Sequence, residues 1–319
     1  MKTSTRPPGS SLGAILPARP DRHKKSLVGG RAVTRAFPLL PALGLVIAIT
    51  QVPFVMTIYY SSQHWILTSM TPQHFVGIGN FVAAVQDNVF RQSLLNTFVL
   101  VLSTIAISLT MGTILALGLN RDFPGRGFVR TLAITPFFVM PVAAALFWKA
   151  AFYDPSFGAL GWITSALGFG RINWLTHFPM FSVVLLTSWR WTAFALLIIL
   201  AGLQSFPIET GEAARLDGAG SGSMLRYFVL PHLRPFLELS ALMIAMFVLQ
   251  SFGEIAMMTA GGPAYATSTV AYYIYLQAFS AFNLGQAAAY GVVALIISIA
   301  LVMPTLRILS GVFQAGGRR

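Results

Sequence analysis

Few residues in this sequence are equipped for chemistry. Cysteine is absent, which excludes disulfides, thiolate metal sites and thiol nucleophiles. The histidines His23, His64, His74, His177 and His232 are dispersed without metal-ligand spacing, so neither a metal nor a cofactor is expected on the chain. The notable groups are Arg190, set between Trp189 and Trp191 in one long apolar run, and Glu254, with Gln250 one helical turn before it in another. A charge in such a run costs several kcal/mol to bury in lipid, so each must have a partner or face a cavity. Two readings are open. In one, Arg190, Gln250 and Glu254 line a path beside an aromatic platform of Trp189 and Trp191, an arrangement suited to the hydroxyls and C–H faces of a sugar or polyol. In the other, Arg190 and Glu254 only pair and hold two helices together, Gln250 is interhelical glue, and the tryptophans pack. Lys149, near the end of a run, is explained by snorkelling, and Glu238 by solvation at a run's edge. Gly261-Gly262-Pro263 reads as a turn rather than a phosphate cradle.

The elements that must position these residues follow from composition. Only 9% of the 319 residues are charged and 55% are hydrophobic, against roughly 25% charged in a soluble domain. An ordinary soluble enzyme or a disordered chain is excluded. Six apolar stretches, residues 37–60, 94–119, 132–152, 181–203, 236–260 and 284–306, are each long enough to cross a bilayer as a helix. The fold class is therefore an all-α membrane protein with six transmembrane helices. Pro41, Pro53, Pro136, Pro141 and Pro304 predict local kinks. Residues 270–282 are apolar but too short to span, and predict an interfacial or re-entrant helix.

The net charge of +12 gains meaning from its placement. Nearly all Lys and Arg fall in residues 1–36, in the 2–3 loop (Arg121, Arg126, Arg130), in the 4–5 loop (Arg215, Arg226, Arg234) and after span 6 (Arg307, Arg318, Arg319). The opposite side holds Arg91 and Arg171, with Lys149 near it. By the positive-inside rule both termini are cytoplasmic, and the partner of this basic charge is membrane lipid rather than nucleic acid. Tyr59, Tyr60, Trp65, Trp162 and Trp174 fit an outer aromatic belt. Three parts are expected: a basic, disordered cytoplasmic tail over 1–36 with no signal peptide, a six-helix transmembrane domain over 37–309, and a C-terminal tail over 310–319.

The cytoplasmic loop over 204–234 is the most informative segment. Residues 209–216 favour a short helix with acids in its first turn, Asp217-Gly218 ends it, and a second amphipathic stretch over 224–230 leads to Pro231. A helix, a glycine turn and a second helix make a knob that fits a groove on another protein. Glu212-Ala213-Ala214, Asp217-Gly218-Ala219 and Leu230-Pro231 at this spacing resemble the EAA loop of binding-protein-dependent ABC importer permeases. The resemblance covers spans 1 to 6 and is closest to the maltose-type carbohydrate group, within it the sorbitol/mannitol branch. Supporting segments are 76–81, 135–141, 145–149, 152–155 and 252–255, whereas Gly220-Ser221-Gly222-Ser223 departs from the usual pattern.

That likeness implies a type I importer permease fold in a bacterial cytoplasmic membrane. It also implies a second six-span permease, two ATPase copies carrying ATP and magnesium, an extracytoplasmic binding protein, and a sugar or polyol as cargo. No G-x-x-x-x-G-K-[ST] loop is present, so ATP hydrolysis is expected on a separate chain. The competing readings are a permease for glycerol phosphate or an amino acid and, more remotely, an intramembrane glycosyl-transfer enzyme, for which the few acids are too scattered.

Overall fold

A computed structural model describes the backbone over residues 40–316 and the side chains over 41–300. The segment 1–36 lies outside the described residues. The chain divides into two units at Phe54/Val55. Among described residues, the first unit holds the start of α1 (Leu40–Ser61), an uncharged apolar helix of 22 residues with Pro53 inside it. At ~1.5 Å per residue α1 is roughly 33 Å long, enough to cross the hydrocarbon layer.

The second unit continues with β1 (Gln63–His64) and β2 (His74–Phe75), an antiparallel hairpin. Then follow α2 (Gly79–Gln86), α3 (Asn88–Leu119), α4 (Arg126–Phe138), α5 (Pro141–Ala151), α6 (Ala159–Ala166), α7 (Trp174–His177), α8 (Pro179–Gln204), α9 (Ile208–Leu216), α10 (Ser221–Val248), α11 (Gly253–Met258), α12 (Val270–Tyr275) and α13 (Leu284–Gly316). Among the described residues four helices, α1, α3, α8 and α10, are long and apolar enough to cross a membrane, and the bent pair α4–α5 makes a fifth if counted as one span. The described apolar part of α13 is shorter, Leu284–Ala300. The expected tail over 310–319 begins as a continuation of α13 to Gly316.

Helix α8 is the hub of the second unit: α3, α4 and α10 all pack on it, and Leu186, Leu196, Ile199 and Leu200 are fully buried along it. A close approach is at Gly112 of α3, where a Cβ would lie 2.8 Å from the Ala195 Cβ and 3.0 Å from the Leu196 backbone nitrogen. Small residues allow such contact where lipid gives no hydrophobic drive to helix association. Gly112→Val is expected to destabilise the protein by about 1–3 kcal/mol through overpacking. Thermal unfolding in detergent checks this, and an unchanged midpoint would mean the two helices can separate without loss.

Three expectations need correction. Span 3, read as one crossing over 132–152 with local kinks at its prolines, is broken outright: α4 and α5 meet at 104°. Val139 and Met140 are extended between them, at ψ 128° and 137°, because Pro141 disfavours helical geometry in the residue before it. Span 5, read over 236–260, is also interrupted: α10 stops at Val248 and α11 starts at Gly253. The second helix of the loop knob is not separate either. It runs into span 5 as α10, through a wide turn at Leu225–Val229 in which the Leu230 N–H reaches the Leu225 carbonyl. That turn absorbs the donor missing at Pro231, so the proline lies within the helix instead of closing it.

A polar knot fastens three helices at the other end. One Asp87 carboxylate oxygen accepts from the Val89 and Phe90 amides, capping α3. The other accepts from the Tyr273 hydroxyl of α12 at 2.6 Å and the Tyr290 hydroxyl of α13 at 2.5 Å. Gln277 and Gln286 donate to these hydroxyls in turn, and Phe90 stacks on Tyr290. Burial pushes the Asp87 pKa up, but the tyrosine and amide donors outweigh it and hold the carboxyl below its ordinary 3.8.

Candidate functional site

The two breaks lie side by side, and α5 packs on α11. Gly253 permits this approach, since a Cβ there would come within 3.1 Å of Val142. Non-helical backbone at membrane depth is tolerated where it is buried or lines a cavity, and the second break does line one, through Gln250, Ser251 and Phe252. Arg190, near the middle of α8, sends Nη1 to the Glu254 carboxylate at 2.5 Å and Nε to the Val139 carbonyl freed by the first break at 3.3 Å. The remaining Glu254 oxygen accepts from Ser251 Oγ at 2.6 Å, in the second break. One straight helix thus stitches two interrupted ones through a single guanidinium, and both charged side chains are buried.

Beside this cluster lies a cavity of about 520 Å³. Arg190, Trp191, Gln250 and Glu254 line it, with Phe137, Phe194, Phe247 and Phe252 supplying aromatic walls. Trp191 sits 5.6 Å from Phe247 and 5.9 Å from Phe137, centroid to centroid. Of the residues expected to form a path, Trp189 alone is not part of the lining and packs on Trp148 instead. Gln250, in the second break, donates to the Met246 carbonyl of α10 and remains exposed. The ion pair read as an alternative to a path therefore exists, and it exists on the wall of a cavity.

Phe137, Phe247 and Ser251 escaped the sequence reading because each looks like ordinary lipid-facing or loop composition. The one available signal was Pro136 and Pro141 bracketing a short segment. The sequence also separated His64 from His74, which the hairpin sets opposite each other with rings 4.9 Å apart. Among the described residues, no group of three His, Cys, Asp or Glu side chains is placed to hold a metal.

The loop knob is the second site. Helix α9 ends with paired bonds from Gly218 N–H to the Arg215 carbonyl and from Ala219 N–H to the Ala214 carbonyl. Gly218 closes it at φ +84°, a conformation that suits glycine. Ala214 is buried, whereas Glu212, Ala213, Asp217 and Gly218 face outward. Ile208 is 73% exposed and Leu216 89% exposed, an apolar tip without a partner among the described residues. Glu212 and Arg215 line a second cavity of about 420 Å³ between α9 and the ends of α3 and α8. Leu230 and Pro231 are exposed on the flank of α10 rather than at a helix boundary.

These features define a multi-pass helical membrane protein with an internal cavity built from interrupted spans and an exposed knob on one face. Over residues 105–315 the sequence matches the family described as Binding-protein-dependent transport system inner membrane component, and the chain belongs to that family. It is 31% identical over 267 residues to a probable ABC transporter permease of Sinorhizobium fredii, covering 83% of this chain and 86% of that one. A trehalose/maltose transport system permease of Thermococcus litoralis is 32% identical over 256 residues, 80% and 84% of the two chains. A sulfoquinovosyl glycerol transport system permease of Agrobacterium fabrum is 32% identical over 273 residues, 85% and 88%. The crystal structure of a bacterial ABC transporter involved in import of the acidic polysaccharide alginate shares the fold, with a TM-score of 0.74 over 88% of this chain and 97% of that one at 21% identity. The chain is an ABC importer permease, a transport component rather than an enzyme.

Proposed function

We propose that the chain is one of two six-span permease subunits, with both termini cytoplasmic, in an ATP-driven importer that carries a sugar or polyol across a bacterial cytoplasmic membrane. The observation that carries this reading is the aromatic cavity at the meeting of the broken spans, which offers ring faces to C–H surfaces and Gln250 to hydroxyls. Relatives named for trehalose/maltose and for sulfoquinovosyl glycerol support a carbohydrate cargo, and the sorbitol/mannitol likeness extends it to polyols. The residues over 37–309 form the permease domain, with a basic tail before and a short tail after. Two copies of an ATPase subunit, binding ATP and magnesium, take the knob around Glu212–Gly218 into a surface groove. An extracytoplasmic binding protein delivers the solute. ATP-driven closure of the ATPase pair moves the knob and rocks the spans between inward- and outward-facing states, each favoured by different ligands.

Reconstitution with the partner chains tests both halves. ATP-dependent uptake is expected for a sugar or polyol and not for amino acids. Gly218→Val, which forces a β-branched side chain into left-handed backbone, and Glu212→Ala are each expected to lower coupled uptake by about tenfold, equivalent to ~1.4 kcal/mol of docking energy. Both should release the ATPase on purification. Intact association and uptake in both variants would remove the docking role from α9.

A further inference from the structure

Carbohydrate-type solutes come in charged and uncharged forms, and sequence likeness does not separate them: the relatives named above include both. The cavity wall does. We propose that this chain's half of the path is built for an uncharged saccharide or polyol and selects against anions, an inference that rests on the cavity being the path.

Its lining contains one cation, Arg190, and one anion, Glu254. Arg190 has its charge balanced by the Glu254 carboxylate and gives Nε to the Val139 carbonyl, and the two Glu254 oxygens accept from Arg190 and Ser251. Both side chains are nine-tenths or more buried. The wall is therefore electrically neutral and its charges are mutually satisfied. A phosphate, sulfonate or carboxylate entering here would find no free cation. To bind Arg190, through its remaining N–H groups or in place of Glu254, it would set a second negative charge beside the Glu254 carboxylate in a poorly screened site. An uncharged solute meets no such obstacle. Its C–H faces pack on Trp191 and Phe247, and its hydroxyls reach the exposed Gln250 amide.

The test separates the cavity from the binding protein by omitting the latter. Tryptophan fluorescence of the assembled permease–ATPase complex in nanodiscs is titrated with maltose, trehalose and sorbitol, then with glycerol 3-phosphate and glucuronate. At least one uncharged solute should give a saturating response, with the anions weaker by about tenfold or more. Glu254→Gln keeps the hydrogen bond from Arg190 through its amide oxygen, with the amide nitrogen turned to donate to Ser251 Oγ, but leaves the guanidinium uncompensated, and should tighten anion binding by about tenfold relative to the uncharged solutes. Anions titrating the wild-type complex as tightly as the uncharged solutes, or no response from any uncharged solute, overturn the inference. Trp191→Phe tells this apart from failure of the path reading itself. A response that survives that change undiminished comes from another site, and the cavity is then not the path.

Discussion

Arg190→Met leaves Glu254 as a lone carboxylate inside the membrane domain, and the purified complex is expected to lose about 3–5 kcal/mol of stability with most of its uptake. Three contacts fail together. The carboxylate loses its counter-charge, the Val139 carbonyl loses its donor, and the two broken spans lose their common tie to α8. Glu254→Gln is milder, because the amide oxygen still accepts from Arg190 and the amide nitrogen can donate to Ser251 Oγ, whose hydroxyl turns to accept. Combining the two removes the lone charge, so the double variant is expected to be more stable than Arg190→Met alone, a coupling of about 1 kcal/mol or more. Thermal unfolding in detergent gives the cycle. Strictly additive losses would mean that the pair contributes nothing as a pair. Uptake reads a separate property: a stable double variant that transports normally leaves the pair a purely structural role, whereas a stable but inactive one assigns the charges to the path.

Asp87→Ala is expected to lower stability by roughly 2–4 kcal/mol, since it removes a helix cap worth about 1 kcal/mol and a charged acceptor for two hydroxyls. Asp87→Asn keeps the capping oxygen and should lie between the two. The sign of the pH dependence is fixed by the depressed pKa. The stabilisation from ionised Asp87 is fully present above the ordinary 3.8 and is lost as pH falls through the lower folded value. The stability difference between wild type and Asp87→Asn should thus be constant from neutral pH down to about 4 and shrink below it. A difference that shrinks already near neutrality would mean that Asp87 is not held as a carboxylate by its tyrosines. The knot is consequently permanent at physiological pH.

Much of this was legible from residue order. The exposed knob could be placed because its acids, its Asp-Gly stop and its alanines are local, within one turn of one another. Arg190 and Glu254 were recognisable as partners because two isolated charges in apolar runs have few other options. The breaks were not legible. Hydropathy averages over Val139 and over residues 249–252 as smoothly as over helix, and a proline foretells a kink but not an angle of 104°. Trp189 and Trp191 do not share one wall for a geometric reason: residues at i and i+2 on a helix point away from each other, so Trp191 can face the cavity only if Trp189 faces elsewhere. Asp87 was overlooked because its partners lie 186 and 203 residues away in the chain.

The continuity of α10 has a mechanical meaning. Its 28 residues form one rod from Ser221, beside the knob, to Val248, at the edge of the cavity. At ~1.5 Å per residue the rod is roughly 42 Å long, so a tilt of about 5° about one end displaces the other by about 4 Å. Glu254 and Ser251 hang from the far end of that lever on a short non-helical strap, and Arg190 sits on a neighbouring axle. The wide turn at Leu225–Val229 is the rod's one irregular joint among the described residues. In the proposed coupling, a stroke delivered at the knob would arrive at the strap between Val248 and Gly253, whose Gln250, Ser251 and Phe252 line the cavity.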